Sequence, residues 1–190
     1  MADELSETIY KGDVDGMLMI LQKALMDGVG EYLASTESED VAPDKVIACV
    51  EKLLDVPGID VNYGRNGDGT ILTLSAYYNC TSLVDFLLKR DDIDVNAIDH
   101  NGKTPLMASL IENDGSDDSN DVAKLLLKTK GINLQYEHKG STALSIAKEY
   151  NNEEMIRLIP IAIKDQDTIK SLKRDIKSQN DSKVFRTRLE

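Results

Sequence analysis

Only a few side chains of this 190-residue chain could support metal binding or nucleophilic catalysis. The two histidines, His100 and His138, could join Cys80 in a zinc site, or one of them could act as the base for a Cys80 nucleophile. The spacing of these three residues matches no standard zinc pattern, and they lie in separate stretches of sequence. An enzyme would need a deep pocket that brings Cys80 to a histidine. We therefore predict no catalytic residues, no metal and no cofactor, and a protein that is not an enzyme.

Two polar segments have compositions typical of ion or phosphate loops. Residues 113–120 are rich in aspartate, as calcium loops are, but they lack the ligand spacing and the closing glutamate of an EF-hand. Residues 66–69 read Asn-Gly-Asp-Gly after a short extended segment, but the Lys-Ser/Thr ending of a phosphate loop is missing. We expect the acidic segment to be a solvated loop, and we expect no phosphate site in the other.

The charge of the chain is unevenly distributed. The sequence has 34 acidic and 22 basic residues, for a net charge of −12, yet residues 160–190 carry 8 Lys or Arg against 5 Asp or Glu. Because nucleic-acid binding normally needs a basic surface, we expect no nucleic-acid partner. The acidic remainder leaves two interpretations open, a partner protein with a basic surface or solubility alone.

The sequence shows no feature of an exported or membrane protein. The amino terminus is acidic and lacks a long apolar run, and no stretch is long enough or apolar enough to cross a bilayer. Cys49 and Cys80 fall in separate helical segments, so a disulfide framework is not supported and a reducing compartment is favoured. We expect a monomeric cytoplasmic protein that binds no membrane, with the nucleus as an alternative location.

The segment from Asp99 to Leu106 predicts a tight turn that leads into a capped helix. Gly102 can adopt the positive φ of such a turn, and the Thr104 hydroxyl can accept a hydrogen bond from the first open amides of a helix. Pro105 suits the first helical position, where its missing N–H would have no partner in any case. Leu106 then begins the apolar face.

The same pattern occurs on both sides of this segment. Thr70, Thr104 and Thr142 each follow a glycine-containing turn, and they lie 34 and 38 residues apart. A short extended segment precedes each turn, at residues 59–62, 93–96 and 132–135. A unit of a turn and two helices that recurs at this spacing indicates an array of stacked repeats.

The chain resembles the ankyrin-repeat family, most clearly in Asp94-Val95-Asn96-Ala97 and in Thr104-Pro105-Leu106, and the resemblance extends from about residue 58 to 159. It implies an all-α ankyrin-repeat solenoid of about five helical hairpins with β-turn fingers, followed by a carboxy-terminal helix. In such a stack each unit buries its faces on its neighbours.

We divide the chain on this basis into an ankyrin-repeat domain, 1–160, and a carboxy-terminal amphipathic helix and tail, 161–190. The domain comprises a cap (1–27), a degenerate repeat (28–64) with a loop insertion (35–43), a repeat (65–98), a repeat (99–136) with an acidic insertion (113–120), and a last repeat (137–160). We expect a helical hairpin over 3–25, a short helix over 29–34, and a helix that ends at Pro160. Ile169, Leu172 and Ile176 place an apolar stripe on a further helix, from about 167 to 177, which we expect to cover the open end of the stack.

The family resemblance also implies a concave groove, formed by the first helices and the fingers. Three tyrosines fall where first helices end and two lie at the necks of fingers, and Tyr is enriched at protein-binding surfaces. We predict that the protein-binding residues are Tyr63, Tyr77, Tyr78, His100, Asn101, Lys103, Ile111, Glu112, Tyr136, His138, Lys139 and Tyr150. For Tyr63 and Tyr136 the alternative is packing between neighbouring fingers.

We predict that the protein is a non-catalytic protein–protein interaction module or scaffold that binds its partner through the concave face. The alternative is an ankyrin regulatory or targeting domain of a larger protein, which could be an enzyme.

Overall fold

The computed structural model describes residues 14–34, 43–65, 69–111 and 120–187. Within these ranges the chain forms eight helices, which are α1 (Val14–Ala34), α2 (Pro43–Leu54), α3 (Ile71–Tyr77), α4 (Thr81–Leu88), α5 (Pro105–Ala108), α6 (Asp121–Lys128), α7 (Ala143–Glu149) and α8 (Glu153–Thr187). Two short antiparallel pairs complete the described structure, β1 (Gly64–Arg65) with β2 (Gly69–Thr70) and β3 (Glu137–His138) with β4 (Ser141–Thr142).

The threonines that recur in the sequence cap the first helices of three successive units. The side chains of Thr70, Thr104 and Thr142 accept hydrogen bonds from the backbone amides three residues later, so each threonine occupies an N-cap. Pro105 lies in the first turn after Thr104, as predicted. Thr142 forms a full capping box, in which the Ser145 hydroxyl accepts a hydrogen bond from the Thr142 amide at 2.8 Å.

Left-handed asparagines turn the chain back between the two helices of a unit. Asn79 has φ +51° and Asn151 has φ +55°, so both adopt the conformation that commonly terminates helices. The amide of Cys80 donates to the carbonyl of Ser75 at 2.9 Å, and at the end of α7 the amide of Asn152 makes the equivalent bond to the carbonyl of Ala147 at 2.8 Å. The chain can therefore reverse within a few residues and place the second helix beside the first.

The helices form two layers with one core between them. Helices α1, α3, α5 and α7 contact one another in succession in the first layer, and α2, α4, α6 and α8 do so in the second. The core runs along the whole stack, and its fully buried side chains include Leu72, Leu87, Leu106, Leu126, Ile146 and Met155. The expected all-α solenoid is confirmed. The described residues contain four helix pairs, and the first half of the predicted 3–25 hairpin lies outside them.

Asparagine side chains join the connecting turns of neighbouring units. Asn62 accepts a hydrogen bond from the amide of Asp94 at 2.6 Å and donates one to the carbonyl of Asp92 at 2.7 Å. Its own turn is fixed by Asp60, whose carboxylate accepts from the Asn62 amide at 2.9 Å. A single side chain therefore satisfies two backbone groups of the next unit.

The next unit repeats this arrangement. Asn96 donates to the carbonyl of Gly131 at 3.0 Å and accepts from the amide of Asn133 at 2.7 Å. Gln135 holds the equivalent place in the following turn, and its amide group donates to the carboxylate of Asp167 on α8 at 3.3 Å. The amide side chains of Asn62, Asn96 and Gln135 thus form what we call the amide ladder, which runs along the stack and ends on α8.

The prediction that a helix ends at Pro160 is wrong. Pro160 lies inside α8, and the residues of the predicted separate helix, 167–177, continue the same helix. A proline in a helix removes one backbone hydrogen bond. The residues around it compensate for this loss, because Ile159 is buried while Ala162 and Ile163 pack against the core. The tertiary contacts therefore keep the helix continuous across the proline.

The first helix is also longer than the sequence pattern suggests. Helix α1 runs without a break through the second part of the predicted 3–25 hairpin and through the expected helix over 29–34. Leu25, Met26 and Val29 are buried at helical spacing, which explains why the helix continues. The loop insertion and the acidic insertion lie almost wholly outside the described residues. Asn120, the last residue of the latter, is buried.

Candidate functional site

The fingers of neighbouring units contact each other directly. Gly102 has φ +71°, and a methyl group at this position would overlap the imidazole ring of His138 from the next finger. One unit earlier, a methyl group on Gly69 would lie 2.9 Å from Cβ of Asp99. Glycine is therefore needed at both places for close approach as well as for its backbone conformation. The stacked fingers form one edge of the solenoid.

Asp99 fixes the shape of the middle finger. Its carboxylate accepts hydrogen bonds from the amide of Asn101 at 2.8 Å and from the amide of Lys103 at 2.7 Å. The Asp99 amide also donates to the Lys103 carbonyl at 3.0 Å. His100 and Asn101 are consequently exposed at the tip, whereas Lys103 is half-buried. The two tip side chains can reach a partner without any change in the finger.

The end of α3 presents a pair of tyrosines. Tyr77 is the last helical residue and Tyr78 is the C-cap, and their rings pack edge to face with centroids 5.1 Å apart and planes at 89°. The two residues are 40% and 39% exposed, respectively. Edge-to-face packing lowers the conformational freedom of both rings before any partner binds. This pair is an ordered aromatic surface that remains open to solvent.

The other predicted aromatic and apolar residues are more buried. Tyr150 is the C-cap of α7 and is half-buried against the core, and Ile111 is half-buried in the middle unit. Tyr63 and Tyr136 are also half-buried and pack against the core. Glu112 lies outside the described residues. The tyrosines therefore divide into an exposed pair at α3 and a half-buried set elsewhere.

The last finger differs from the middle one in its backbone. Lys139 has φ +50° and is exposed, and Gly140 beside it has φ +81°. His138, which precedes Lys139, is half-buried because its ring packs over the preceding finger. Of the two histidines, His100 is exposed and His138 is half-buried.

The structure does not gather the residues that could carry chemistry. Cys80 is the N-cap of α4, between the two helices of its unit, whereas both histidines lie on fingers. In the described part of the chain, no group of three or more His, Cys, Asp or Glu side chains is placed to hold a metal ion. Cys49 and Cys80 are both free thiols.

A buried polar cluster links the last two units, and we did not predict it. The side chains of Asn120 and Asn152 are hydrogen-bonded to each other, and the Asn120 amide also donates to the carboxylate of Glu154 at 2.8 Å. Lys124 lies 3.0 Å from the same carboxylate. The hydrogen bond from Lys124, followed by that from Asn120, lowers the pKa of Glu154 below its usual value. The signal in the sequence is the 32-residue spacing of the two asparagines, which is close to one repeat.

Fold and surface together define an α-solenoid with a row of stacked fingers along one edge. A model of the family described as ankyrin repeats (3 copies) matches residues 40–136, just over half of the chain. The chain belongs to the ankyrin-repeat family.

A curated relative agrees with this assignment. Over 100 residues the chain is 31% identical to a protein of Escherichia coli (strain K12) that is named as the ankyrin repeat protein YahD. The match covers 53% of this chain, which spans about half the length of the relative. Ankyrin repeats generally mediate protein–protein interaction, and the family is typically non-catalytic. None of the described helices contains an apolar segment of the length that a bilayer requires.

Proposed function

We propose that the protein is a non-catalytic recognition module that binds another protein through the concave surface formed by the first helices and the fingers. The observation that carries this proposal is the Tyr77–Tyr78 pair, which is ordered by its edge-to-face contact and yet exposed. Tyr and Trp dominate the binding energy of many interfaces because they bury a large area at low cost in conformational entropy.

The fingers supply the polar part of the proposed surface. His100 and Asn101 are exposed at a tip whose backbone is held by Asp99, and Lys139 is exposed on the next finger. An interface with an aromatic centre and a polar rim has the usual anatomy of protein recognition. We propose Tyr77 and Tyr78 as the central residues and the finger residues as the rim. Lys103, Ile111, His138 and Tyr150 are half-buried and would contribute smaller areas.

The charge and the cysteines support two further parts of the proposal. The net charge of −12 favours a partner with a basic surface, because opposite charges accelerate association. Two free thiols and no disulfide between described residues favour a reducing compartment, and we propose the cytoplasm. The module is proposed to act as a monomer.

The test compares partner capture by the wild type with capture by a Tyr77→Ala/Tyr78→Ala double variant. Proteins retained from a lysate by the wild type are identified, and the affinity of each purified partner is then measured by calorimetry. We expect the double variant to weaken binding of the physiological partner by about 2 kcal/mol or more. Both side chains are exposed, so its melting temperature should change little.

A matched control removes an exposed apolar side chain elsewhere. Met19 on α1 is exposed, and Met19→Ala should leave partner binding unchanged. If the tyrosine variant retains full affinity for every specific partner, or if it unfolds as readily as a core variant, the assignment of the binding surface is wrong.

A further inference from the structure

A groove of about 810 Å³ lies between the end of α6, the turn after it and α8. Its walls are apolar, with Leu127 and Ile132 on the repeat side and Leu158, Ile161 and Ile169 on α8. The last repeat therefore does not bury the whole apolar face of α8. Ile161 and Ile169 are each more than half exposed, although they line this groove.

The apolar stripe on α8 continues beyond the groove. Leu172 and Ile176 are also more than half exposed, and with Ile161 and Ile169 they recur at helical spacing. The four side chains span roughly 22 Å of helix at 1.5 Å per residue. An exposed stripe of this length, interrupted by Asp165 one turn after Ile161, is typical of an interaction surface, whereas single exposed apolar residues are common on any protein.

The rim of the groove is positively charged, although the chain as a whole is acidic. Five lysines line it and only one carboxylate does so. The lysines are Lys124, Lys128, Lys130, Lys170 and Lys173, and the carboxylate is Asp165. Lys124 is paired with Glu154, so the other four provide most of the positive field. A local reversal of charge in a chain of net charge −12 favours an occupant that carries carboxylates.

We propose that this surface, which we call the lysine groove, binds an acidic amphipathic helix of a partner protein. The apolar residues of that helix, spaced i, i+3, i+4 and i+7, would pack on Ile161, Ile169 and Leu172. Its Asp and Glu residues would flank the apolar face and reach the ammonium groups on the two sides of the groove. The single carboxylate, Asp165, would exclude a partner acid from the middle of the site.

The same observations disfavour the other occupants. A symmetric contact between two copies of α8 would bring Lys170 and Lys173 near their own counterparts. An anionic membrane surface is flat, whereas the groove is recessed between two helices and cannot follow a flat surface. Single-stranded nucleic acid binds through stacking on aromatic rings, and the described residues that line the groove contain none.

The proposal is tested by selecting peptides on the purified full chain. The probe is a display library of random peptides of about 15 residues, a length that covers the stripe as a helix. We expect the selected peptides to be acidic, to carry apolar residues at helical spacing, and to lose affinity in about 1 M salt because screening weakens the charge contacts.

Matched pairs of lysines on α8 show whether the selected peptides occupy the groove. Lys170→Glu/Lys173→Glu should weaken peptide binding by about tenfold or more. Lys164→Glu/Lys177→Glu makes the same change of charge on exposed lysines of α8 that do not line the groove, and it should weaken binding by less than about threefold. Circular dichroism verifies that both variants keep the helical content of the wild type.

Several results would overturn the proposal. The first is the selection of neutral or basic peptides, and the second is an equal loss of peptide affinity in the two lysine variants. The third is binding of phosphatidylserine vesicles in place of peptides, and the fourth is concentration-dependent dimerisation that Leu172→Ser abolishes. The Tyr77→Ala/Tyr78→Ala variant should bind the selected peptides as well as the wild type does. The lysine groove and the concave surface can therefore fail independently of each other.

Discussion

The imidazole ring of His138 lies over the backbone of Gly102 in the preceding finger, where no side chain larger than hydrogen fits. This contact joins the last two fingers and explains why His138 is less exposed than His100, although both histidines are on fingers. A residue that packs on the neighbouring finger contributes to the shape of the surface as well as to any contact with a partner.

Replacement of Gly102 by alanine should destabilise the protein more than replacement of Gly140. Both glycines have positive φ, so each alanine costs about 1–2 kcal/mol for the backbone. At Gly140 a methyl group meets no non-adjacent atom within 4 Å, whereas at Gly102 it overlaps His138 and should cost about 1–3 kcal/mol more. Urea denaturation measures both. A Gly102→Ala/His138→Ala double variant should recover much of the difference, and equal losses at the two glycines would show that the finger contact carries no energy.

Removal of one rung of the amide ladder should loosen the coupling between repeats. Asn96→Ala leaves the Gly131 carbonyl and the Asn133 amide without their bonds to this side chain, and we expect a loss of about 1–3 kcal/mol. The unfolding transition should also broaden, because stacked repeats owe their cooperativity to the contacts between neighbours. Asn101→Ala, on an exposed finger tip, is the control and should change stability by less than about 0.5 kcal/mol.

The Glu154 cluster should make stability depend on pH in acid. Lys124 and Asn120 lower the pKa of Glu154, so the folded state binds a proton less readily than the unfolded state does. The contribution of this cluster to stability is therefore present above the ordinary glutamate pKa of 4.5, and it is lost as the pH falls through the lower pKa of the folded state.

This dependence is measured by thermal unfolding of the wild type and Glu154→Gln from neutral pH to about pH 3. The variant should be less stable near pH 7 by up to about 1 kcal/mol, since the pair is partly exposed, and the gap should close in acid. Glu149→Gln, at the exposed end of α7, should run parallel to the wild type. A gap that persists at the lowest pH would mean that the charge of Glu154 is not the cause.

Truncation of the core residue Leu87 to alanine should destabilise the protein more than truncation of an exposed apolar residue does. Leu87 is fully buried between the layers, and the cavity should lower the free energy of unfolding by roughly 2–5 kcal/mol. Ile98 is half exposed, and Ile98→Ala should cost less than about 1 kcal/mol. Chemical denaturation measures the free energy of unfolding of both variants, and similar losses of stability would contradict the burial of Leu87.

The fold was predictable because its signals are local. The caps at Thr70, Thr104 and Thr142 and the turn at Gly102 depend on a few adjacent residues, so their geometry follows from residue type and spacing. The course of α8 through Pro160 was not predictable in this way. Its continuity depends on the burial of Ile159 and Ile163 by residues distant in sequence, and tertiary packing outweighed the local preference of proline.

The candidate surfaces were predictable only in part. The position of Tyr77 and Tyr78 at a helix end follows from the repeat pattern, but the pattern specifies neither their exposure nor their edge-to-face contact. The lysine groove has no signature in any single segment, because its two walls are separated by about one repeat in the sequence.

The amide ladder also determines how this chain can change in length. Asn62 and Asn96 each make the same two side-chain hydrogen bonds to the backbone of the unit that follows. Either asparagine could therefore make these two bonds to the unit that now follows the other. Excision of the 34 residues from Asn62 to Val95 would place Asn96 directly after Val61 and re-create the junction. Removal or addition of a whole unit at this register would therefore preserve the pattern of turn-to-turn bonds, while the helix faces that meet at the new junction would differ.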